Sequence, residues 1–405
     1  MEERDKIHFL RGIITGIGMV AVVILYWILI LKPTIFPADL SQDDGMSYEQ
    51  MMSMLQKTNS IMNHIQDEYI LEDLENEALI EGMYEGLMAM LDDKYAEYYT
   101  VEEYEELKKQ TEGSWGGIGI SVTQDKEIVS VFENSPAQQA GVEIGDIIQM
   151  VNDQDVTAMT LDEMKGLLKG KIGDVKKVKF YRPSTEESYE VELTLAEIIT
   201  QTIFWHMLED GIVYLQITSF DTVTMEQFDE AWQEIAESGE MKGLVLDLRD
   251  NLGGNLTTVV HIANELLPEG LITYIEDKAG NRTEYSSEGD GCDVPMAVLV
   301  NGSSASASEL LCGALKDRGM ATVVGTTTYG KGIVQTTWSM GDGTAFKMTT
   351  GKYYTPNGNN IQGTGIEPDI YIELGAEEQE MESVPQERDV QLQTAIEAVK
   401  TKLGQ

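Results

Sequence analysis

The chain has 405 residues, 42% of them apolar, with 28 Lys plus Arg against 70 Asp plus Glu and a formal charge of −42. That length suits two or three domains with cores of their own, and the apolar share excludes wholesale disorder. So large an acidic excess argues against a nucleic-acid partner, whose phosphates require a basic face.

Residues 1–11 contain Arg4, Lys6 and Arg11 and lead into 20 uncharged residues, 12–31. At 1.5 Å rise per residue a helix of that length spans about 30 Å, the thickness of a bilayer's hydrocarbon core. The basic flank lies ahead of the apolar stretch, and only Lys32 follows before Lys57. The expected orientation is therefore a cytoplasmic N-terminus with the rest of the chain across the membrane. A cleaved signal peptide is the alternative, but its apolar region is normally about 7–15 residues with small residues at the cut. Here a longer stretch ends in Lys32-Pro33-Thr34-Ile35-Phe36-Pro37, which favours an uncleaved single-pass anchor.

Residues 38–112 hold 20 acids and 4 bases. Met51, Met54, Leu55, Ile61 and Ile65, then Leu79, Met83, Leu87 and Met90, recur at helical spacing. The pattern predicts acidic amphipathic helices whose Met-rich faces serve core or dimer packing rather than a cofactor.

At Gly113 the texture changes. Gly116-Gly117-Ile118-Gly119-Ile120 opens a β-patterned run, and Ser135-Pro136-Ala137 reads as an N-cap with Pro at the first helical position. Gly145-Asp146 makes a turn before the apolar run 147–151, and Thr160 with Glu163 forms a capping box ahead of Leu161, Met164, Leu167 and Leu168. Two more strand-like runs, 175–181 and 189–195, close a unit over 113–196. This unit resembles a PDZ domain. The resemblance implies that Gly117, Ile118, Gly119 and Ile120 present backbone N–H groups to a peptide's terminal carboxylate.

From residue 197 the pattern becomes α/β. Apolar strands at 212–217, 243–248, 296–300 and 322–324 alternate with helical stretches at 225–237, 256–267 and 308–317, predicting a largely parallel sheet covered on its faces. The tail, 373–405, is acidic and ends in a predicted helix over 390–403.

Chemistry gathers in three segments of 197–372. In Asn301-Gly302-Ser303-Ser304-Ala305-Ser306-Ala307-Ser308-Glu309, four Ser crowd a strand-to-helix turn, and Ser306 with Glu309 fits a capping box. The same place suits a nucleophile, because a helix N-terminus stabilises a developing oxyanion. The hydroxyl needs a base. None of the four His (His8, His64, His206, His261) sits in a motif with a neighbouring acid, and His261 reads as a packed or capping residue. A lysine with a lowered pKa is the other option.

Gly330-Lys331-Gly332-Ile333-Val334-Gln335 supplies one, and strand alternation would project Lys331 and Gln335 together. The segment 197–372 has nine bases against 25 acids, so desolvation must outweigh a negative surrounding if Lys331 is the base. In Asp247-Leu248-Arg249-Asp250-Asn251-Leu252-Gly253-Gly254, paired Gly allow close backbone approach, and the Gly253 N–H suits an oxyanion donor. The two Cys, Cys292 and Cys312, form one bridge or two free thiols, and no His or Cys has metal-ligand spacing.

Together these segments resemble the carboxyl-terminal processing, or tail-specific, serine peptidases of family S41, over residues 50–372 up to Gly365-Ile366-Glu367-Pro368-Asp369. By that resemblance Ser306 is the nucleophile, Lys331 the general base and Gln335 its positioner, and the Gly253 and Ser306 amides form the oxyanion hole. The 25-residue spacing from Ser306 to Lys331 fits the family and favours Ser306 over Ser303, Ser304 and Ser308. Leu252 departs from the family, whose members often have Pro or Gly there. The implied architecture is a multidomain α/β (α+β) chain. It comprises a transmembrane anchor, an acidic helical region suited to dimerisation, a PDZ domain, and a crotonase/ClpP-like protease core. The implied activity is a bacterial, membrane-anchored, extracytoplasmic endopeptidase for proteins with free C-termini, using no metal or cofactor, with a role in signal transduction. Two rivals are a catalytically inactive membrane-tethered PDZ adaptor and a crotonase-like acyl-CoA enzyme; the latter is disfavoured by export and the lack of a basic surface.

Overall fold

Val and Leu fill the middle of Gly243–Asp247 and the end of Met296–Val300, and every residue of both strands is buried. Strands of that kind must be covered on both faces. In the computed structural model, which describes residues 46–379, 381 and 384–404, they form the centre of a six-stranded sheet. Its order is Ile203–Met207, Ile212–Ile217, Gly243–Asp247, Met296–Val300, Ala321–Gly325 and Ile370–Tyr371. The first pair is antiparallel and the rest parallel.

Alternation sorts the side chains. Leu244, Leu246, Val298 and Val300 join one core with residues of helices Val223–Ser238, Leu256–Leu266 and Ala307–Asp317. Val245, Ala297, Leu299 and Val324 join another with Leu392, Ala395, Ile396 and Val399 of helix Val390–Leu403. The helix of the acidic tail is thus the second cover of the sheet. Burying four aliphatic or alanyl side chains from each partner contributes several kcal/mol, at roughly 25 cal/mol per Å².

A second, antiparallel sheet was not foreseen in the sequence. Ala345–Tyr354 is its spine, pairing with Ile333–Ser339 on one side and with Gly270–Asp277 on the other, which in turn pairs with Arg282–Ser287. Glu97–Tyr99, inside the expected helical region, also pairs with the spine. The 113–196 segment carries its own core around Ile128, Ile148, Met164, Val178 and Phe180, with strands Ile147–Val151, Val175–Arg182 and Glu187–Thr194 in one sheet.

The N-terminal unit, ending at Tyr84, contains helix Tyr48–Glu68, opened by a Ser47–Gln50 capping box, and the start of helix Asn76–Ala89. No residue of either helix is buried, so the expected core packing of their Met and Leu faces is not made within these helices. Among the described residues no helix is long and apolar enough to cross a membrane. The anchor expected at 12–31 and the cytoplasmic segment 1–11 lie outside the described residues.

Candidate active site

The strand Met296–Val300 ends, the chain turns through residues 301–306, and helix Ala307–Asp317 begins. Ser306 stands at the turn with φ 56° and ψ −111°, a conformation that L-residues avoid. Its neighbours hold it there. Ser304 Oγ donates to the Leu248 carbonyl at 2.8 Å and Ser308 Oγ to the Asn251 carbonyl at 2.8 Å. Both are fully buried, and these bonds commit their hydroxyls to structure. Ser306 is distinguished from them by position as well as by spacing.

The turn 250–254 packs directly against Ser306. Gly253 has φ 106°, and a Cβ there would lie 2.8 Å from Ser306 Cβ and from the Ala305 carbonyl oxygen. Gly254 has φ 146° and would meet the Phe220 backbone at 2.5 Å. Both positions therefore need glycine. Buried Asn251 ties the turn down: its Nδ2 donates to the Ile217 carbonyl at 2.7 Å, and its own carbonyl accepts from the Ala305 amide at 3.0 Å.

Neither amide expected in the oxyanion hole is open in this conformation. Gly253 N–H donates to Asn251 Oδ1 at 2.9 Å, and Ser306 N–H donates to Glu309 Oε2 at 2.9 Å. The physical reason is local: a side-chain acceptor two or three residues away satisfies each amide. Ala307 N–H, the first of the helix, donates to no protein acceptor among the described residues and lines the same cleft as Ser306. An orphan amide at a helix N-terminus is what an oxyanion requires.

Glu309 also does more than complete a capping box. Fully buried, it accepts from Ser306 N–H, from Lys331 N–H at 2.8 Å, from Gly330 N–H at 2.7 Å and from Thr328 Oγ1 at 2.6 Å. One carboxylate thus joins the serine turn to the lysine segment. Tyr353, buried and with its phenol pushed up by burial and then by Glu309, donates to the carbonyls of Ser306 and Lys331.

Ser306, Lys331 and Gln335 line one cleft together with Gly254, Asn255, Leu256, Val259, Leu310 and Tyr353. Burial pushes the Lys331 ammonium below the ordinary lysine value of 10.5, and the nearby cations Lys347 and Lys94 push it further; Tyr329 and Asp93 oppose them. Anions are present, Asp93 beside the amine and Glu309 at the Lys331 backbone amide, but burial and the two cations outweigh them. Lys331 Nζ sits 4.5 Å from the centre of the Tyr95 ring. Gln335 departs from its expected partner. Its Nε2 donates to Thr349 Oγ1 at 3.2 Å, and the register of its strand shifts between Val334 and Gln335.

Among the described residues no His lines this cleft. His261 pairs at 2.7 Å with Asp229 of the preceding helix, Val223–Ser238, and Val259, two residues before His261, lines the cleft. His206 packs on Tyr214, with ring centres 5.0 Å apart. Cys292 and Cys312 are both free and buried. Among the described residues no cluster of His, Cys, Asp and Glu could hold a metal ion.

A second groove lies between strand Ile120–Val122 and helix Leu161–Leu168, lined by Gly117, Ile118, Gly119 and Ile120 on one side and Met164, Lys165 and Leu168 on the other. Gly119 has φ 78°, and a Cβ there would lie 2.2 Å from Ser135 Cβ. Among the described residues the Ile118 and Gly119 amides donate to no protein acceptor. Sequence reasoning missed Ala307, Glu309's links to Lys331, Asn251 and Tyr95. Only Glu309 left a signal, three residues after Ser306.

The profile of Peptidase family S41 matches residues 211–372, and that of the PDZ domain matches residues 127–182. A carboxy-terminal-processing protease of Bartonella bacilliformis is 32% identical over 328 residues, 79% of this chain and 75% of that one. The carboxy-terminal processing protease CtpB of Bacillus subtilis is 35% identical over 316 residues, 76% of this chain and 65% of that one. A solved Bacteroides fragilis chain assigned to the S41 proteases shares the fold at TM-score 0.51 and 16% identity, covering 86% of this chain and 97% of that one.

Proposed function

The chain belongs to the carboxy-terminal processing proteases of peptidase family S41 and is a serine peptidase, and on that premise we propose that it cleaves with Ser306 as nucleophile and Lys331 as general base. The observation that carries this reading is the shared cleft: a strained serine at a helix N-terminus and a desolvated lysine whose pKa is lowered. Lys331 takes the Ser306 proton as Oγ attacks the scissile carbonyl, an acyl-enzyme forms, and water releases it. Ala307 N–H, with Gly253 N–H once it leaves Asn251, receives the oxyanion. Gln335 orients the lysine's surroundings through Thr349.

Substrates are proteins with free C-termini. Their terminal carboxylate docks on the amides of Gly117, Ile118, Gly119 and Ile120, which delivers an upstream bond to Ser306. The apolar residues Met164 and Leu168 across the groove favour an apolar C-terminal side chain. The protease is held at a bacterial cell membrane by residues 12–31 with its catalytic part outside, assembles as a homodimer through its helical region, and acts in signal transduction.

Ser306→Ala and Lys331→Ala are each expected to abolish cleavage of a protein with an apolar C-terminus while leaving peptide binding intact. Cleavage at the wild-type rate by either variant would sink the dyad. A wild-type protein that binds such peptides and cleaves none would select the tethered adaptor instead.

A further inference from the structure

Lys331 has an unusual surrounding for a residue that must gain a charge. Among the described residues no carboxylate lies within ion-pair distance of it, and Gln335 is turned to Thr349. What the amine rests against is an aromatic face, the Tyr95 ring at 4.5 Å. That ring comes from a loop some 236 positions earlier in the chain, between helix Asn76–Ala89 and strand Glu97–Tyr99. The loop is pinned in place. Asp93 Oδ1 accepts from the Tyr95 amide at 3.0 Å, and Asp93 Oδ2 accepts from the Thr349 amide at 3.2 Å on the strand beside Gln335. Lys94 Nζ donates to Tyr329 Oη at 2.8 Å and lies over both the Tyr95 and Tyr329 rings.

We propose that Tyr95 is the positioning residue of the Lys331 base, holding the amine in the cleft and stabilising the ammonium that acylation creates. The inference rests on the Ser306–Lys331 reading above. In the acylation step the Ser306 O–H bond breaks and an Nζ–H bond forms on Lys331. Oγ bonds to the carbonyl carbon, and the carbonyl π pair moves to its oxygen. As the tetrahedral intermediate collapses, the same proton passes from Nζ to the departing amine. A positive charge therefore appears transiently on a half-buried amine that already faces Lys94 and Lys347. In a Ser-His-Asp site a carboxylate offsets that charge. Here a carboxylate in contact would hold Lys331 protonated at rest and remove the base. An aromatic face attracts the cation through its quadrupole and carries no formal charge. The groups facing Lys331 are Asp93, Lys94 and Tyr95 from the loop, Lys347 from the spine strand, Tyr329 from its own segment, and Glu309, which accepts its backbone amide.

The test uses the full chain with Tyr95→Phe, Tyr95→Leu and Tyr95→Trp, each assayed on one peptide substrate across pH. Phe keeps the face and is expected to stay within about threefold of the wild-type kcat. Leu keeps an apolar cover and loses the quadrupole. Its kcat is expected to fall about tenfold at unchanged KM, with the acid limb moved to lower pH because only the ammonium loses a partner. Trp, the stronger cation binder, is expected to move that limb to higher pH, and it decides the matter if Leu does not fold. The inference is overturned if Leu equals Phe in kcat and pH midpoint, if Leu changes KM alone, or if Trp leaves the limb unmoved. Lys331→Ala is run alongside: wild-type cleavage there rejects the dyad itself, whereas a dead Lys331→Ala with a normal Tyr95→Leu rejects only the role of Tyr95.

Discussion

At the residue scale the site turns on one lysine whose charged form is disfavoured. Desolvation disfavours its ammonium, and Lys347 and Lys94 repel it, so its pKa lies below the ordinary 10.5. The sign for activity follows directly. A base works when unprotonated, so kcat/KM is expected to rise with pH and to level off at a lower pH than an ordinary lysine would allow. A rate-versus-pH series on a peptide substrate checks this, and a flat profile from about pH 5 to pH 10 counts against a lysine base. Charge reversal of a repelling neighbour sharpens the test, since Lys347→Glu is expected to move the acid limb to higher pH. Ser306 shows the complementary economy. Its positive φ is held by Ser304, Ser308 and Asn251, none of which needs to touch a substrate.

At the element scale, three pieces far apart in sequence meet at the cleft: the 250–254 turn, the start of helix Ala307–Asp317, and the segment entering strand Ile333–Ser339. Glu309 connects the last two and Asn251 the first two. The other end of the Asp247-Leu248-Arg249 segment has a different task. Arg249 bonds buried Asp247 and reaches Asp389 at 2.9 Å and Gln391 at 3.1 Å, while Tyr214 Oη donates to Asp247 at 2.8 Å. Asp389 also caps helix Val390–Leu403 by accepting from the Leu392 amide at 2.9 Å. Asp389→Ala removes an N-cap and one partner of a nearly buried guanidinium. It is expected to destabilise the core by roughly 2–4 kcal/mol, seen as an earlier unfolding transition in urea. An unchanged midpoint would show that the tail helix is held by its apolar contacts alone.

At the scale of the whole molecule, the formal charge is −42, while Lys331 has Lys347 and Lys94 as well as Asp93 around it. The anchor proposed at 12–31 makes a simple prediction. Cells expressing the full chain should carry the protease in the membrane fraction, and a chain lacking residues 1–31 should move to the soluble fraction with its peptidase activity kept. Full-length protein found only in the soluble fraction would remove the anchor from the proposal.

Apolar runs, capping boxes and Gly pairs are local signals, and they carried far. Strands 243–247 and 296–300, the Ser306 helix start, the Gly119 turn and the Gly253-Gly254 turn were all legible from neighbours within a few positions, because hydrogen bonding and backbone sterics act at that range. Other features depend on contacts between distant segments. Residues 93–99 read as part of a helical region, yet Glu97–Tyr99 enters the antiparallel sheet and Tyr95 covers Lys331. Gln335 shares the cleft with Lys331 as alternation foresaw, but its amide is bonded to Thr349 on the neighbouring strand, which alternation cannot foresee. The lowered pKa of Lys331 comes from burial first and then from Lys347 and Lys94, although the surrounding sequence is acidic. The sequence alone therefore determined which residue types stand at the reacting positions and which turns carry them. Only the tertiary structure decided which amides are open and what the lysine rests against, because both are set by neighbours that folding brings together from opposite ends of the chain.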